Sequence, residues 1–278
     1  MKTTEPDSRP APPVVLTIAG SDSGGGAGIQ ADLKTFAAYG THGLSAITYV
    51  TAQNTHRVSA VHAVPVRILD AQIDALFADF AVAAVKIGML GTPAIARCVA
   101  RALRRYGPRV SVVLDPVMVA TSGDPLLTPE TVDIYRRELL PRADLVTPNV
   151  PEAEALTGQP LGALEDFDRA AATLHELGAR AVLLKGGHAP GADVLDILYA
   201  GDVQRFRHPR LPGNAHGTGC TLAAAIAAGL AHGLALSQAA GIAIDYVHRA
   251  LALSYRPGTG GLSVLAHGEV VPALQTAS

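Results

Sequence analysis

The segment Gly217-Thr218-Gly219-Cys220 is the strongest candidate for chemistry in this sequence. It stands directly before an apolar helical stretch, Thr221–Leu230. The first turn of a helix offers unpaired N–H groups and a partial positive charge, and two glycines allow those N–H groups to wrap around an anion. The pattern therefore predicts an anion hole for a transferring phosphoryl group. A glycine-containing helix start that binds nothing is the alternative.

A second glycine-rich stretch runs from Gly20 to Gly28, with four glycines in the last five positions. It contains Gly26-x-Gly28-x-x-Ala31, a loose match to the dinucleotide-binding fingerprint. The acidic residue that this fingerprint requires about 20 residues further on is missing, which disfavours a dehydrogenase. A close approach of backbone to some other ligand and a plain tight turn both remain open.

Asn149-Val150-Pro151-Glu152 is a third candidate, because it follows a predicted strand. Pro151 suits a first helical turn, where an acidic residue is also favourable. A simple helix start is one interpretation. The other is an acidic group that reaches a hydrated Mg²⁺ on ATP.

Several familiar catalytic motifs are missing from the sequence. It has no Gly-Lys-Ser or Gly-Lys-Thr of a Walker motif, no protein-kinase signature and no hydrolase elbow. The ten histidines are scattered without the spacing of a structural zinc site. A P-loop kinase, a serine hydrolase and a zinc protein are therefore disfavoured.

The elements that position these motifs alternate between strands and helices, which predicts an α/β fold with a mostly parallel sheet and helices on both faces. Predicted strands are Val14–Ala19, Leu44–Ala52, Val82–Ile87, Val110–Leu114, Asp144–Thr147 and Ala181–Lys185, with a hairpin of Val194–Tyr199 and Val203–His208. Predicted helices are Ile29–Tyr39, Arg67–Phe80, Pro93–Tyr106, Pro129–Leu140, Asp166–Leu177, Gly219–His232 and Ser237–Leu253.

Ligands of such folds lie at the carboxyl ends of the strands, and the unusual residues of this sequence cluster there. Each of the following groups comes after a predicted strand: Gly20-Ser21-Asp22, Gln53-Asn54, Gly88-Met89, Asp115-Pro116, Asn149 and Lys185-Gly186-Gly187. The sequence therefore predicts that they meet in one site.

Composition narrows the class of protein. The chain has 278 residues, 49% of them apolar, and a net charge of −2. We expect no nucleic-acid partner, because a basic patch is missing, and no membrane span, because no apolar run reaches 18 residues. Residues 1–13 are predicted to be a disordered tail and residues 14–278 a single domain. Two cysteines in so long a chain indicate a reducing, cytoplasmic compartment.

Together and in order, the motifs resemble bacterial hydroxymethylpyrimidine/phosphomethylpyrimidine kinases of the ribokinase-like fold, which act in thiamine biosynthesis. The resemblance runs from about Val14 to Leu253. It is carried by Ala19–Phe36, Thr51–Thr55, Lys86–Leu90, Asp115–Met118, Ser122-Gly123-Asp124, Thr147–Ala153, Lys185–His188 and His216–Thr221. It implies a three-layer fold, ATP and Mg²⁺, and a homodimer. The implied reaction phosphorylates 4-amino-5-hydroxymethyl-2-methylpyrimidine and then its monophosphate.

The resemblance also implies roles for particular residues. The pyrimidine pocket would comprise Gly20, Ala27, Asp32, Gln53, Met89 and Val117. The nucleotide side would comprise Asn149, Glu152, Lys185 and Thr218, with Asp115 and Glu152 toward the metal. Catalysis would rest on Gly217, Gly219, Cys220 and Lys185. The Gln53 amide supplies both the donor and the acceptor that an aminopyrimidine edge needs.

Cys220 stands where most ribokinase relatives carry an aspartate, the general base for an alcohol. A carboxylate there would repel a phosphate acceptor, whereas a neutral thiol would not. A phosphate monoester, with a second pKa of about 6, also needs little base. We therefore expect Cys220 to let one site accept both the alcohol and the phosphate, and an inert structural cysteine is the alternative.

Three other functions stay open at this stage. A pyridoxal kinase of the same fold is the first, although that branch departs from Gln53-Asn54-Thr55 and from the Gly-Thr-Gly before the cysteine. Tyr49-Val50 replaces the small residues expected before Thr51, so some pyridoxal activity is compatible with the sequence. A nucleotide-binding regulator without turnover and a dehydrogenase are the others.

Overall fold

The computed structural model describes residues 10–118, 127–162, 164–188, 191–212 and 215–274. The Ser122-Gly123-Asp124 motif lies outside these ranges. So do the first nine residues of the predicted tail.

A nine-stranded sheet forms the centre of the described chain, in the order β3-β2-β1-β4-β5-β6-β7-β8-β9. A small parallel pair, β10-β11, lies apart from it. The strands are β1 Val14–Ser21, β2 His42–Gln53, β3 Val58–Ala63, β4 Val82–Ile87, β5 Ser111–Leu114, β6 Leu145–Val146, β7 Val182–Leu184, β8 Asp193–Tyr199, β9 Val203–Pro209, β10 Ala215–His216 and β11 Ser263–Val264.

Six neighbouring strands run parallel, in the order β2, β1, β4, β5, β6 and β7. On their two sides, β3 and β8 run antiparallel to them, and the edge strand β9 is antiparallel to β8. The predicted, mostly parallel sheet is thus confirmed. The hairpin of β8 and β9 forms where Gly201-Asp202 predicts a turn. The sequence patterns do not predict β3, which pairs with the second half of β2.

In the described ranges, eight α-helices surround the sheet. They are α1 Gly28–Ala38, α2 Val66–Asp79, α3 Pro93–Tyr106, α4 Pro129–Ile134, α5 Val150–Thr157, α6 Leu164–Glu176, α7 Thr218–Ala231 and α8 Leu236–Ala252. The predicted helix Pro129–Leu140 is less regular than expected. Its α-helical part ends at Ile134, and a π-helical segment, Tyr135–Leu139, continues it.

Two hydrophobic cores lie on opposite faces of the sheet. Successive residues of a strand point to opposite faces, and in β4 Ala84 joins one core while Val85 joins the other. One core contains side chains of α2, α3, α4, α5 and α6, and the other those of α1, α7 and α8. This confirms the three-layer α/β fold. No helix of the described ranges is both long enough and apolar enough to cross a bilayer.

Candidate active site

A cleft of about 1290 Å³ opens at the carboxyl ends of the parallel strands, where the sequence predicts the site. Its lining includes every predicted site residue except Asp32. These are Gly20, Ala27, Gln53, Met89, Asp115, Val117, Asn149, Glu152, Lys185, Gly217, Thr218, Gly219 and Cys220. Parallel β topology brings them together because all the strand ends meet at one edge of the sheet.

The segment predicted to form an anion hole lies at the start of α7. Gly217 precedes the helix with φ +88°, a left-handed conformation, and no side chain caps the helix end. A Cβ at this position would also collide with the carbonyl oxygen of Gly26. Only glycine fits both demands. The first turn of α7 therefore faces the cleft with its backbone N–H groups, an arrangement that favours an anion.

Asp22 organises the glycine-rich loop beside this helix start. Its carboxylate accepts hydrogen bonds from the N–H groups of Gly24 at 2.8 Å, Gly26 at 3.0 Å and Ala27 at 2.9 Å. Burial opposes the charge, but His216 and these N–H groups outweigh it and lower the pKa of Asp22. This role of Asp22 is not among the predictions from the sequence. An aspartate two residues before a glycine is typical of a side chain that closes its own turn, and this pattern could have indicated the role.

A cluster of two carboxylates and one ammonium group lies at the ends of β5, β6 and β7. Lys185 Nζ lies 2.9 Å from Asp115 Oδ1 and 3.7 Å from Glu152 Oε2. Burial opposes the charge of Lys185, yet Asp115 and Glu152 outweigh it and raise the lysine pKa. Burial also raises the pKa of Glu152, because Lys185 offsets only part of the cost. With both acids ionised the cluster carries one excess negative charge.

Asn149 and Glu152 form the start of α5. The N–H of Glu152 donates to Asn149 Oδ1 at 2.9 Å, and the N–H of Asn149 donates to Glu152 Oε2 at 2.8 Å. This reciprocal pair is a capping box, so the helix-start interpretation of the motif is correct. It also holds the Glu152 carboxylate in the cleft wall, so the predicted role toward a metal remains compatible with the geometry.

Asp32 lies beneath the cleft rather than in its wall, which corrects its predicted place in the pocket. It is on the inner face of α1 without exposed surface, and its carboxylate accepts a hydrogen bond from Thr17 Oγ1 at 2.6 Å. Lys86 Nζ lies 2.9 Å and 3.0 Å from its two oxygens. Any effect of Asp32 on a ligand must therefore pass through Lys86.

Lys86 is a site residue for which the sequence analysis assigned no role. It stands near the end of β4, is fully buried and lines the cleft. Burial opposes its charge, but Asp32, Cys220 and Asp115 outweigh it and raise the pKa of Lys86. A lysine inside an apolar strand is rare without a partner. Its position within Val82–Ile87 was the available signal.

Cys220 lies in the first turn of α7, close enough to Lys86 and Lys185 to interact with the charges of both. Burial raises the pKa of its thiol to about 11, against the pull of Lys86 and with the help of Asp115 and Asp32. The thiol is therefore neutral at pH 7 rather than an activated nucleophile. Such a side chain adds no negative charge beside a bound anion.

A magnesium ion suits the cluster around Lys185. Within the described ranges no three side chains of His, Cys, Asp or Glu converge in a way that could hold a metal by themselves. Mg²⁺ is commonly held by one or two carboxylates together with the phosphates of a nucleotide. Asp115 and Glu152 supply two carboxylates against a single lysine, so the residues present fit a metal that arrives with ATP.

Comparisons with solved structures agree with the fold. A Staphylococcus aureus pyridoxal kinase, solved with AMP-PCP and pyridoxal, is 33% identical with a TM-score of 0.85, over 93% of this chain and 94% of that one. A phosphomethylpyrimidine kinase from Clostridium difficile is 42% identical with a TM-score of 0.77, over 86% of this chain and 99% of that one. The ribokinase-like fold is thus confirmed.

Curated relatives resemble the chain over most of its length. A hydroxymethylpyrimidine/phosphomethylpyrimidine kinase of Rhizobium meliloti is 50% identical over 87% of this chain and 92% of the relative. The protein of the same name from Bacillus subtilis is 46% identical over 88% and 91%. A family model described as phosphomethylpyrimidine kinase matches residues 22–264. The chain therefore belongs to the phosphomethylpyrimidine kinase family.

Proposed function

We propose that the protein transfers the γ-phosphoryl group of MgATP to 4-amino-5-hydroxymethyl-2-methylpyrimidine and then a second one to the monophosphate, in thiamine biosynthesis. The relatives named above carry the corresponding kinase names. The observation that carries the two-step reaction is a thiol, Cys220, in place of a carboxylate in the first turn of α7, because an ordinary thiol is uncharged at pH 7.

The nucleotide end of the cleft comprises Asp115, Asn149, Glu152 and Lys185. Lys185 supplies a fixed positive charge for the phosphates, because Asp115 and Glu152 hold its ammonium group in place. Mg²⁺ held by the two carboxylates would neutralise phosphate charge. We expect Thr218 at the start of α7 to contact the phosphates with its N–H group.

The pyrimidine end is lined by Gly20, Ala27, Gln53, Met89 and Val117. Gly20 and Met89 pack closely, since a Cβ on Gly20 would lie 3.6 Å from Met89 Sδ. We expect an aromatic ring to pack against these apolar groups, with the Gln53 amide binding its polar edge.

The transfer itself depends on charge stabilisation and positioning more than on covalent chemistry. Gly219 keeps the space between Cys220 and the nucleotide end open, because a Cβ there would come 3.1 Å from Lys185 Nζ. The N–H groups of Gly219 and Cys220 would stabilise charge that develops on the transferring group. The neutral thiol would repel neither an alcohol nor a phosphate as acceptor.

Pyridoxal kinase activity is the second candidate, because the Staphylococcus aureus enzyme that binds pyridoxal has such a similar backbone. The similarity does not separate the two substrates, since the phosphomethylpyrimidine kinase with higher sequence identity has the lower TM-score. Tyr49 and Val50 do not alter the pocket directly. Tyr49 is buried, Val50 is exposed, and neither lines the cleft.

A substrate panel tests the proposal. Each candidate, hydroxymethylpyrimidine, its monophosphate and pyridoxal, is incubated with MgATP, and the phosphorylated products are separated. We expect both pyrimidines to be phosphorylated with a higher kcat/KM than pyridoxal. A higher kcat/KM for pyridoxal would replace the proposal with the second candidate.

We also propose that residues 14–278 form one domain, that the protein is a cytoplasmic enzyme and that it forms a homodimer. The continuous sheet supports the single domain, and the two free cysteines support the cytoplasmic location. The edge hairpin of β2 and β3 supports the homodimer, because Val50, Val58 and Val61 are exposed there. An exposed apolar edge is suited to an interface. Analytical ultracentrifugation of the protein and of Val61→Glu tests the dimer.

A further inference from the structure

His216 lines the cleft, and the functional roles proposed above do not include it. It belongs to β10 and precedes Gly217 of the anion hole. Its Nε2 atom lies 2.9 Å from Gln53 Nε2 and 3.4 Å from Asp22 Oδ2. The side chain is only 14% exposed and lines the cleft. The ring therefore contacts the very amide that we propose to bind the pyrimidine.

A glutamine amide has two different ends, and a ring nitrogen can distinguish them. An Nε2 atom that carries a hydrogen pairs only with the amide oxygen, and an Nε2 atom with a lone pair accepts only the amide N–H. The two states admit opposite directions of the Gln53 amide, and a ring in one of these states admits only one direction. Thr51 Oγ1, at 3.4 Å from Gln53 Oε1, is too distant to fix that direction alone.

The His216 ring is itself held in place. β10 pairs with β11, where His216 lies opposite Val264. A Cβ at Gly26 would come 3.1 Å from His216 Cδ2, so the glycine-rich loop packs directly against the ring. Asp22, beside Nε2, is fixed by three backbone N–H groups. The ring therefore has little freedom to rotate and follow a flipped amide.

We propose that His216 is a positioning residue for substrate specificity: it fixes the direction of the Gln53 amide and so the order of donor and acceptor that the pocket presents. This inference rests on the proposed function, because it concerns recognition of the same pyrimidine edge. His216 acts through Gln53 and takes no part in the transfer.

The order of donor and acceptor separates two pyrimidines of nearly equal size. A 4-aminopyrimidine presents an N–H donor at its exocyclic nitrogen and an acceptor at the adjacent ring nitrogen. The 4-oxo analogue presents an acceptor and then a ring N–H donor, which is the reverse order. An amide held in one direction matches only one of them, whereas an amide that is free to flip matches both.

The experiment measures the binding of both pyrimidines by calorimetry to the unaltered protein, His216→Leu, Gln53→Leu and the double variant. His42→Leu is the matched control, because His42 is exposed at the opposite end of β2 from Gln53. MgATP binding to each variant reports whether it is folded. Should His216→Leu fail to fold, His216→Asn withdraws the Nε2 atom and keeps a polar side chain.

We expect the unaltered protein and His42→Leu to bind the 4-amino compound more tightly than the 4-oxo analogue. His216→Leu should reduce that preference about three- to tenfold, the effect of one hydrogen bond between neutral groups. It should change the preference no further in the Gln53→Leu background. An undiminished preference in folded His216→Leu or His216→Asn, or an equal effect in the Gln53→Leu background, would overturn the inference and leave the proposed function intact. If the unaltered protein binds neither pyrimidine, the proposed function falls, and the inference falls with it.

Discussion

Two lysines near the carboxyl ends of parallel strands differ in the number of carboxylates beside them and in their exposure. Lys86, at the end of β4, shares its charge with one carboxylate, that of Asp32, and both side chains are fully buried. Lys185, after β7, faces two carboxylates, Asp115 and Glu152, and its side chain is 13% exposed at the cleft. The first cluster is electrically balanced, and the second has one excess negative charge when Asp115 and Glu152 are both ionised.

This difference in charge indicates that one cluster stabilises the fold and the other binds a ligand. A balanced, fully buried pair satisfies itself, and removal of either partner leaves a charge that water cannot reach. A cluster with one carboxylate in excess has capacity left for a cation, and access to the cleft lets that cation arrive. We therefore assign the Lys86 pair to holding the floor of the site and the Lys185 cluster to the nucleotide and its metal.

The largest effect is expected for Lys86→Met, which leaves the buried Asp32 carboxylate without its cation. We expect a loss of about 3–5 kcal/mol in the free energy of unfolding, the cost of breaking a buried ion pair. Urea denaturation measures it. The matched control is the double variant Lys86→Met/Asp32→Leu, which removes both charges and should recover most of the loss. A loss below about 1 kcal/mol in Lys86→Met would show that the pair does not support the fold.

Lys185→Met should act mainly on catalysis. We expect kcat to fall about 100- to 1000-fold, as for removal of one preorganised group that stabilises the transition state. The loss of stability should be smaller than for Lys86→Met. Glu152 already has a raised pKa and can take up a proton in place of the missing ammonium group. Steady-state kinetics and urea denaturation on the same samples separate the two effects, and equal losses of stability in both lysine variants would contradict the comparison.

Cys220→Asp tests the effect of a negative charge in the first turn of α7. A carboxylate there would stand next to the incoming phosphate during the second transfer but next to an uncharged alcohol during the first. We expect the second rate to fall about tenfold or more relative to the first, because like charges at close range repel by several kcal/mol even when partly screened. Rates are measured separately from each pyrimidine, with Cys220→Ser as the neutral control. Equal survival of both steps would show that the repulsion argument is wrong.

The smallest effect concerns pH. Burial raises the pKa of Glu152 to about 7, and only the ionised carboxylate attracts a metal. As the pH falls through about 7, Glu152 gains a proton, so the KM for MgATP should rise a few-fold. Glu152→Gln keeps an acceptor for the N–H of Asn149 but has no carboxylate to ionise. Its KM for MgATP should therefore be higher and should change less with pH. An equal dependence of this KM on pH in both proteins would show that another group titrates.

Much of the fold could be predicted because its signals are local. The helix Ile29–Tyr39 was placed within one residue of α1, since an apolar period and a glycine-rich start define it. The convergence of the site followed from residues such as Asp115 and Lys185, which are unusual directly after apolar strands. Parallel topology then requires that they meet.

What the sequence analysis missed depends on contacts between distant parts of the chain. Lys86 and Asp32 are 54 residues apart, and Gln53 and His216 are 163 apart. No periodicity predicts which acid will neutralise a given lysine. The family resemblance implies a place for Asp32 in the pocket, whereas its ion pair with Lys86 holds it beneath the pocket. The strand β3 was missed for a related reason. It is exposed along most of its length, and its pairing with β2 defines it more than its apolar residues do.

The most direct test of two successive transfers is a time course with MgATP and hydroxymethylpyrimidine, followed by ³¹P NMR. We expect the monophosphate to appear first and then to be consumed as the diphosphate accumulates, in one incubation with one protein. A reaction that stops at the monophosphate, with no diphosphate formed on adding more MgATP, would contradict the account.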